Sequence, residues 1–359
     1  PPPPPPRHST RRQRQMCIRD RSLIKDNMAS IDPLLALARL SEQKKDYESM
    51  VAWLQKANSA APTELRPRIV LAEYYLREKQ LDKVEELVNE SSVISANDPR
   101  VLFMKGRMLI YQKQYNKAVS PLTELVTRAP ESLLARTLLG ETYLNLQQTD
   151  DARRQLELAL EKKPYYVPAL LVLARVELVS KQYSRGLEHV EKVIKVQPDQ
   201  YLAYSLGGDI AMSTESYKAA EDYYQKSMSL KPESATAIKL SQVFIQLSEN
   251  QQAIKVLEQW LNENPGDVRA RQFLGNTYLT NDNNEEAIQA FEAVYIEQPE
   301  NIVALNNLAW LYSLVNDKRA IEFAEKAYNL KPEDAGIQDT YGWILVQQGQ
   351  VDKGRRVLE

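Results

Sequence analysis

VRARQFLGNTYLTNDNNEEAIQAFEAVYIEQPEN, Val268 to Asn301, reads as two amphipathic helices joined by a polar turn within 34 residues. Leu274, Gly275 and Tyr278 share one face of the first helix, and Ala287, Phe291 and Val294 recur at helical spacing on the second. Asn281-Asp282-Asn283-Asn284 supplies the turn, and Pro299, which cannot donate the next backbone bond, stops the second helix. Neither helix can bury its apolar face alone, so the unit must stack on copies of itself.

The copies are present. The template recurs with starts at Ile31, Leu65, Pro99, Leu133, Val167, Tyr201, Ala235, Val268, Ile302 and Ala335. Counting within each unit, the eighth residue is Ala38, Ala72, Gly106, Gly140, Ala174, Gly208, Ser241, Gly275, Ala309 and Gly342. All are small, as two helix backbones in close contact require. The twentieth residue is Ala or Gly except at Met50 and Val84, and the twenty-fourth is apolar throughout, from Leu54 to Leu358. Proline closes most units. Units seven and nine each lack one residue, just before the first helix and in the turn respectively, where loops absorb the loss. Pro121 falls midway along the second helix of unit three, where a kink or break near Val119–Leu122 is expected.

This pattern of small, apolar and proline positions resembles the tetratricopeptide repeat over residues 31–359. The resemblance implies an all-α, right-handed superhelical solenoid of about ten helix-turn-helix repeats, the last one truncated. NNLAWLY (Asn306–Tyr312), the EKAYNLKPE that follows it, and DTYGWILVQQGQ (Asp339–Gln350) resemble the C-terminal repeats of bacterial exosortase-associated tetratricopeptide lipoproteins. That narrower resemblance implies an envelope protein, periplasmic or associated with the outer membrane, linked to exopolysaccharide export and surface-protein sorting.

Residues 1–21 stand apart. Pro1–Pro6 is a homopolymer run, and RRQRQMCIRDR, Arg11–Arg21, resembles one reading frame of the adapter used in transposase-based sequencing libraries. A non-native, disordered segment is expected here, in preference to a polyproline ligand or a basic nucleic-acid-binding arm, and it is set aside from the fold. Residues 22–30 read as the end of a preceding repeat, and both ends of the chain look cut.

Removing residues 1–21 changes the charge balance. Six of the 46 basic and one of the 48 acidic residues go, leaving 40 and 47, a net charge of −7 against −2 for the whole chain. Cys17, the sole cysteine, goes too, so disulfide and cysteine chemistry are not expected of the repeats. A mildly acidic chain without a basic stripe is a poor nucleic-acid binder. No apolar run approaches the ~18 residues of a membrane helix.

Catalytic motifs are missing. There is no Gly-rich phosphate loop, HExxH, G-x-S-x-G or paired-cysteine metal site. His189, the sole histidine beyond His8, reads as a packing or surface residue. Gly207-Gly208 reads as a packing pair, and Asp282 with Glu285 and Glu286 as a solvated turn before a helix N-terminus, since the glycine and spacing of a calcium loop are wanting. No cofactor or metal is implied.

What remains is surface. In the tetratricopeptide fold the first helices line a concave groove into which their ninth residues project. Here these are Arg39, Glu73, Arg107, Glu141, Arg175, Asp209, Gln242, Asn276, Trp310 and Trp343. Six alternating charges, which can pair with one another, give way to two amides and two tryptophans. Phe103 and Tyr111 add aromatic area in unit three. The lysine and asparagine clamp of chaperone-binding relatives is missing from the fifth and ninth positions. The expected function is a non-catalytic scaffold that binds a protein or peptide segment in the groove. The alternative is a regulatory or substrate-recruiting arm of an enzyme whose catalytic domain lies elsewhere. If residues 1–21 are foreign, deleting them leaves the thermal unfolding midpoint unchanged within error, as differential scanning fluorimetry will show; a clear loss of stability would make them native.

Overall fold

The computed structural model describes residues 30–359, so the readings made for residues 1–21 and 22–29 lie outside the described residues. Among the described residues the chain is helix and turn, with twenty α-helices. It divides into two compact units, one ending at Val176 and the other running from Glu177 to Glu359.

In the first unit the helices are α1 (Asp32–Gln43), α2 (Tyr47–Ala60), α3 (Leu65–Arg77), α4 (Leu81–Ser95), α5 (Pro99–Tyr111), α6 (Tyr115–Arg128), α7 (Leu133–Asn145) and α8 (Thr149–Lys162). α9 (Val167–Val179) contains the division. The second unit continues with α10 (Tyr183–Val196), α11 (Tyr201–Ser213), α12 (Tyr217–Leu230), α13 (Ser234–Gln246), α14 (Asn250–Glu263) and α15 (Val268–Thr280). It ends with α16 (Asn284–Glu297), α17 (Ile302–Leu314), α18 (Arg319–Leu330), α19 (Ala335–Gln347) and α20 (Val351–Leu358). The pairs keep the register expected from sequence. The one-residue deletions fall in the loop before α13 and in the turn before α18.

Helices begin where a side chain satisfies an orphan backbone donor. Ser132, Asp267 and Asn301 accept from the amides of Ala135, Ala270 and Ala304, and Asp334 from those of Gly336 and Ile337. The turn inside each pair has one rule that the sequence hides. Its fifteenth residue is left-handed in every repeat, at φ 54–61° for Lys45, Lys79, Lys113, Gln147, Lys181, Glu215, Ser248, Asp282 and Asn316, and at 78° for Gly349. Only the last is glycine, the residue that takes this conformation without strain.

Within a unit each helix packs on its neighbour in sequence, and first helices also touch across repeats, α3 on α5, α5 on α7, α13 on α15 and α17 on α19. Inside each pair the contact is set by the eighth and twenty-fourth positions. A Cβ added at Gly106 would lie 2.4 Å from Leu122, at Gly208 2.4 Å from Tyr224 and at Gly342 2.5 Å from Leu358. The adjacent Gly207 faces the Tyr223 ring in the same way, so Gly207-Gly208 is a packing pair.

Of the kink or break expected near Val119–Leu122, the break does not occur. α6 runs unbroken from Tyr115 to Arg128 with Pro121 buried inside it. Proline's fixed φ matches a helix, and the missing amide removes one bond, to the Lys117 carbonyl, which the packing of Ala118, Leu122 and Leu125 outweighs.

The close approach at the eighth position yields a paired test. Gly208→Ala forces the buried Tyr224 ring to move and should cost about 1–3 kcal/mol in urea unfolding. Gly266→Ala, where an added Cβ meets nothing within 4 Å, should be neutral within about 0.5 kcal/mol. Equal effects would refute the contact as the fold's spacing element.

Candidate functional site

The ninth positions sit on the first-helix face of each unit. In the first unit Arg39, Glu73 and Arg175 are exposed, and Arg107 and Glu141 are half-buried. The expected ladder of charge pairs forms at one step only among the described residues, Arg175 to Glu141 at 3.3 Å. Arg107 instead lies over the Phe103 ring, 5.4 Å from its centroid. Glu73 has neither arginine within ion-pair distance. Tyr111 is exposed beside this face.

A cavity of about 170 Å³ opens where Arg39 lies. Leu35, Met50, Leu54 and Ile69 make it apolar, and Arg39, Arg66 and Arg100 add guanidinium groups. Two of these are already committed, Arg66 to Asp32 at 3.0 Å and Arg100 to Asp98 at 2.8 Å. The sequence reading missed this cavity because it followed the fifth and ninth positions; consecutive arginines at the second position, Arg66 and Arg100, were the available signal.

In the second unit Asp209 is neutralised locally. Lys239 approaches its carboxylate to 2.6 Å and the buried Tyr224 hydroxyl donates to it at 2.7 Å. Burial, with the adjacent Asp209 charge, pushes the Tyr224 phenol far above its ordinary range. Gln242 is exposed. Asn276 accepts from the Asn307 side chain at 3.1 Å, so the amides tie neighbouring first helices together. Trp310 and Trp343 follow on α17 and α19, 37% and 48% exposed, with Leu314 exposed on the same helix as Trp310. No indole donor of this pair is engaged among the described residues. Two large rings therefore stand on the first-helix face of consecutive repeats. No group of three or more His, Cys, Asp or Glu could hold a metal among the described residues, and none of their helices is long and apolar enough to cross a membrane.

Repeated helix pairs with a small eighth residue against an apolar twenty-fourth define a tetratricopeptide repeat protein, a class that binds protein or peptide partners. The chain belongs to the family described as tetratricopeptide repeat protein 21 C-terminal ARM domain, whose profile matches residues 83–266. Tetratricopeptide repeat profiles also match residues 31–64 and 238–302. The chain is 24% identical over 354 residues to cellulose synthase operon protein C of Pseudomonas fluorescens, covering 90% of this chain and 27% of that protein. It is 21% identical over 280 residues to anaphase-promoting complex subunit 3 of Schizosaccharomyces pombe, covering 77% of this chain and 41% of that one. It thus spans about a quarter to two fifths of these relatives. A crystal structure of a tetratricopeptide repeat protein from Parabacteroides merdae shares the fold at a TM-score of 0.53 and 14% identity, covering 69% of this chain and 98% of the other.

His189, on α10, is buried and neither ring nitrogen has a hydrogen-bond partner. Burial first, then the Lys192 charge, lowers its pKa below the ordinary histidine value. The unfolded chain therefore binds a proton at a higher pH than the folded one. Its contribution is fully present above the unfolded-state value, near 6.5, and is lost as pH falls toward the folded value. Urea midpoints should drop between pH 7.5 and 5.5, and His189→Leu should flatten that slope. An unchanged slope in the variant would clear His189.

Proposed function

We propose that the protein is a non-catalytic scaffold whose first-helix groove binds an extended protein segment, within a bacterial envelope or export assembly. The observation that carries this is the exposure of Trp310 and Trp343 on consecutive first helices. Exposed aromatic area of this kind dominates binding hot spots. The charged positions of the first unit add selectivity, since a charge left unpaired in a bound complex is penalised. The envelope setting is supported by the likeness of Asn306–Tyr312 and Asp339–Gln350 to envelope lipoprotein repeats, and by the cellulose synthase operon relative. In that setting the chain would work in the periplasm or at the outer membrane.

The test uses partners recovered by pull-down and two groove variants first shown to be folded by circular dichroism. Trp310→Ala with Trp343→Ala should cost about 2 kcal/mol or more of binding, roughly thirtyfold. Arg107→Glu with Arg175→Glu should weaken binding less and change its salt dependence. Unchanged affinity in both folded variants ends the reading.

A further inference from the structure

The joints between repeats place equivalent positions side by side but fill them with different side chains, and one of them is conspicuous. Three positions meet there: the eleventh residue of a first helix, the nineteenth residue at the start of its partner helix, and the twenty-fifth residue on the second helix of the preceding repeat. In repeat nine these are Tyr312, Arg319 and, from α16, Glu292. The Tyr312 hydroxyl donates to Glu292, Arg319 pairs with Glu292 at 3.1 Å, and its guanidinium lies 4.0 Å from the Tyr312 ring centroid. The tyrosine is sealed, at 1% exposure. In repeat two, Lys83 occupies the nineteenth position and stands 4.7 Å from the ring of Tyr75. A tyrosine at the eleventh position thus takes a cation on its ring from the nineteenth in both repeats, whereas repeat four sets Asp151 at the nineteenth position beside Tyr143 and has Thr123 in place of the preceding glutamate.

Repeat eight has the tyrosine and the first glutamate but not the cation. The Tyr278 hydroxyl donates to Glu258 of α14, as Tyr312 does to Glu292. The nineteenth residue, however, is Glu286, so two carboxylates flank the ring where the next repeat places a guanidinium. Tyr278 is 9% exposed. Two adjoining clefts of about 430 Å³ each share Glu258, Tyr278 and Glu286. Leu261, Leu274 and Ala290 supply apolar wall to one of them. Two cations also line the clefts: Arg271 donates to the Pro265 carbonyl, and Lys255 forms no ion pair among the described residues.

We infer that this cleft, between α14 and α16 and away from the ninth-position face, receives an arginine side chain of a partner protein. The occupied state is displayed one repeat further on. The guanidinium would stack on Tyr278 as Arg319 stacks on Tyr312, and its planar donors would meet Glu258 and Glu286. Its aliphatic stem would lie on Leu261, Leu274 and Ala290. A planar group with donors on two edges suits two carboxylates flanking one ring better than an ammonium does. The site is independent of the groove, so the failure of either leaves the other standing.

The probe is a fluorescein-labelled hexa-arginine peptide titrated onto the full chain at physiological salt and followed by anisotropy, beside its hexa-citrulline and hexa-lysine counterparts. Glu258→Gln with Glu286→Gln should weaken hexa-arginine binding at least about fivefold. Glu297→Gln with Glu333→Gln, exposed carboxylates outside the cleft, should leave it unchanged. Glu286→Arg should restore the internal arrangement of repeat nine, abolishing the cleft-dependent binding while holding or raising the thermal midpoint. Trp310→Ala with Trp343→Ala should have no effect. The inference is overturned if the cleft and control pairs weaken binding equally, if hexa-lysine or hexa-citrulline binds as well as hexa-arginine, or if Glu286→Arg leaves binding intact or unfolds the chain.

Discussion

The constraint on which the structure depends is the distance between the two helices of a pair. At the eighth position the first helix brings its backbone against the twenty-fourth side chain of the second, and size is traded across that contact. The two bulkiest partners, Tyr224 and Phe291, both face glycine, at Gly208 and Gly275. The four alanines at the eighth position, Ala38, Ala72, Ala174 and Ala309, face Leu54, Val88, Val190 and Ala324, none of them aromatic. Serine serves once, because Ser241 returns its hydroxyl proton to the Ala253 carbonyl and leaves no buried polar group unmet. Interiors are close-packed, so a methylene too many at either position displaces the buried partner side chain or the helix that carries it. Fixing this contact also fixes which way every other position of the first helix points, and so puts the ninth residues on one face within each unit.

This is why the fold was readable and much of its surface was not. A contact that must recur leaves a period, and small residues at one position with proline at another announce both helices. The left-handed residue of each turn recurs just as strictly, yet Lys45, Lys79, Lys113 and Lys181 give no sign of it. A single left-handed residue costs only ~1–2 kcal/mol, which the packed pair outweighs, so selection at that position is weak enough to admit lysine. Pro121 shows the same hierarchy. Read locally it breaks a helix; held between Ala118 and Leu125 it costs one hydrogen bond and the helix continues.

The groove was legible in position but not in pairing. Reading the ninth residues as a ladder assumed that each charge answers its neighbour along the array. Long side chains have closer choices. Arg107 settles over Phe103 one turn away on its own helix, and Asp209 is claimed by Lys239 and Tyr224. Exposed pairs are worth ~0–1 kcal/mol, so an aromatic face or a buried hydroxyl is enough to redirect them. The tryptophans escape this ambiguity, because no local partner competes for an exposed indole face.

Repetition also supplies an internal standard that a globular domain lacks. Because the backbone of one joint is reproduced at the next, a difference in side chains between joints is not compensated by a change of fold. Tyr312 is covered by Arg319 within its own repeat, whereas Tyr278 meets Glu286 at the corresponding place. Glu258 receives the Tyr278 hydroxyl and Glu286 favours the N-terminus of its helix, but the two carboxylates repel each other across the ring and neither covers it. Losing the arginine alone would have required only a neutral residue, such as the Gln252 that stands at this position in repeat seven. A glutamate goes further than neutrality. It reverses the charge of the position that covers the tyrosine in repeats two and nine, and, with Glu258 opposite, leaves a contact that a second chain can complete.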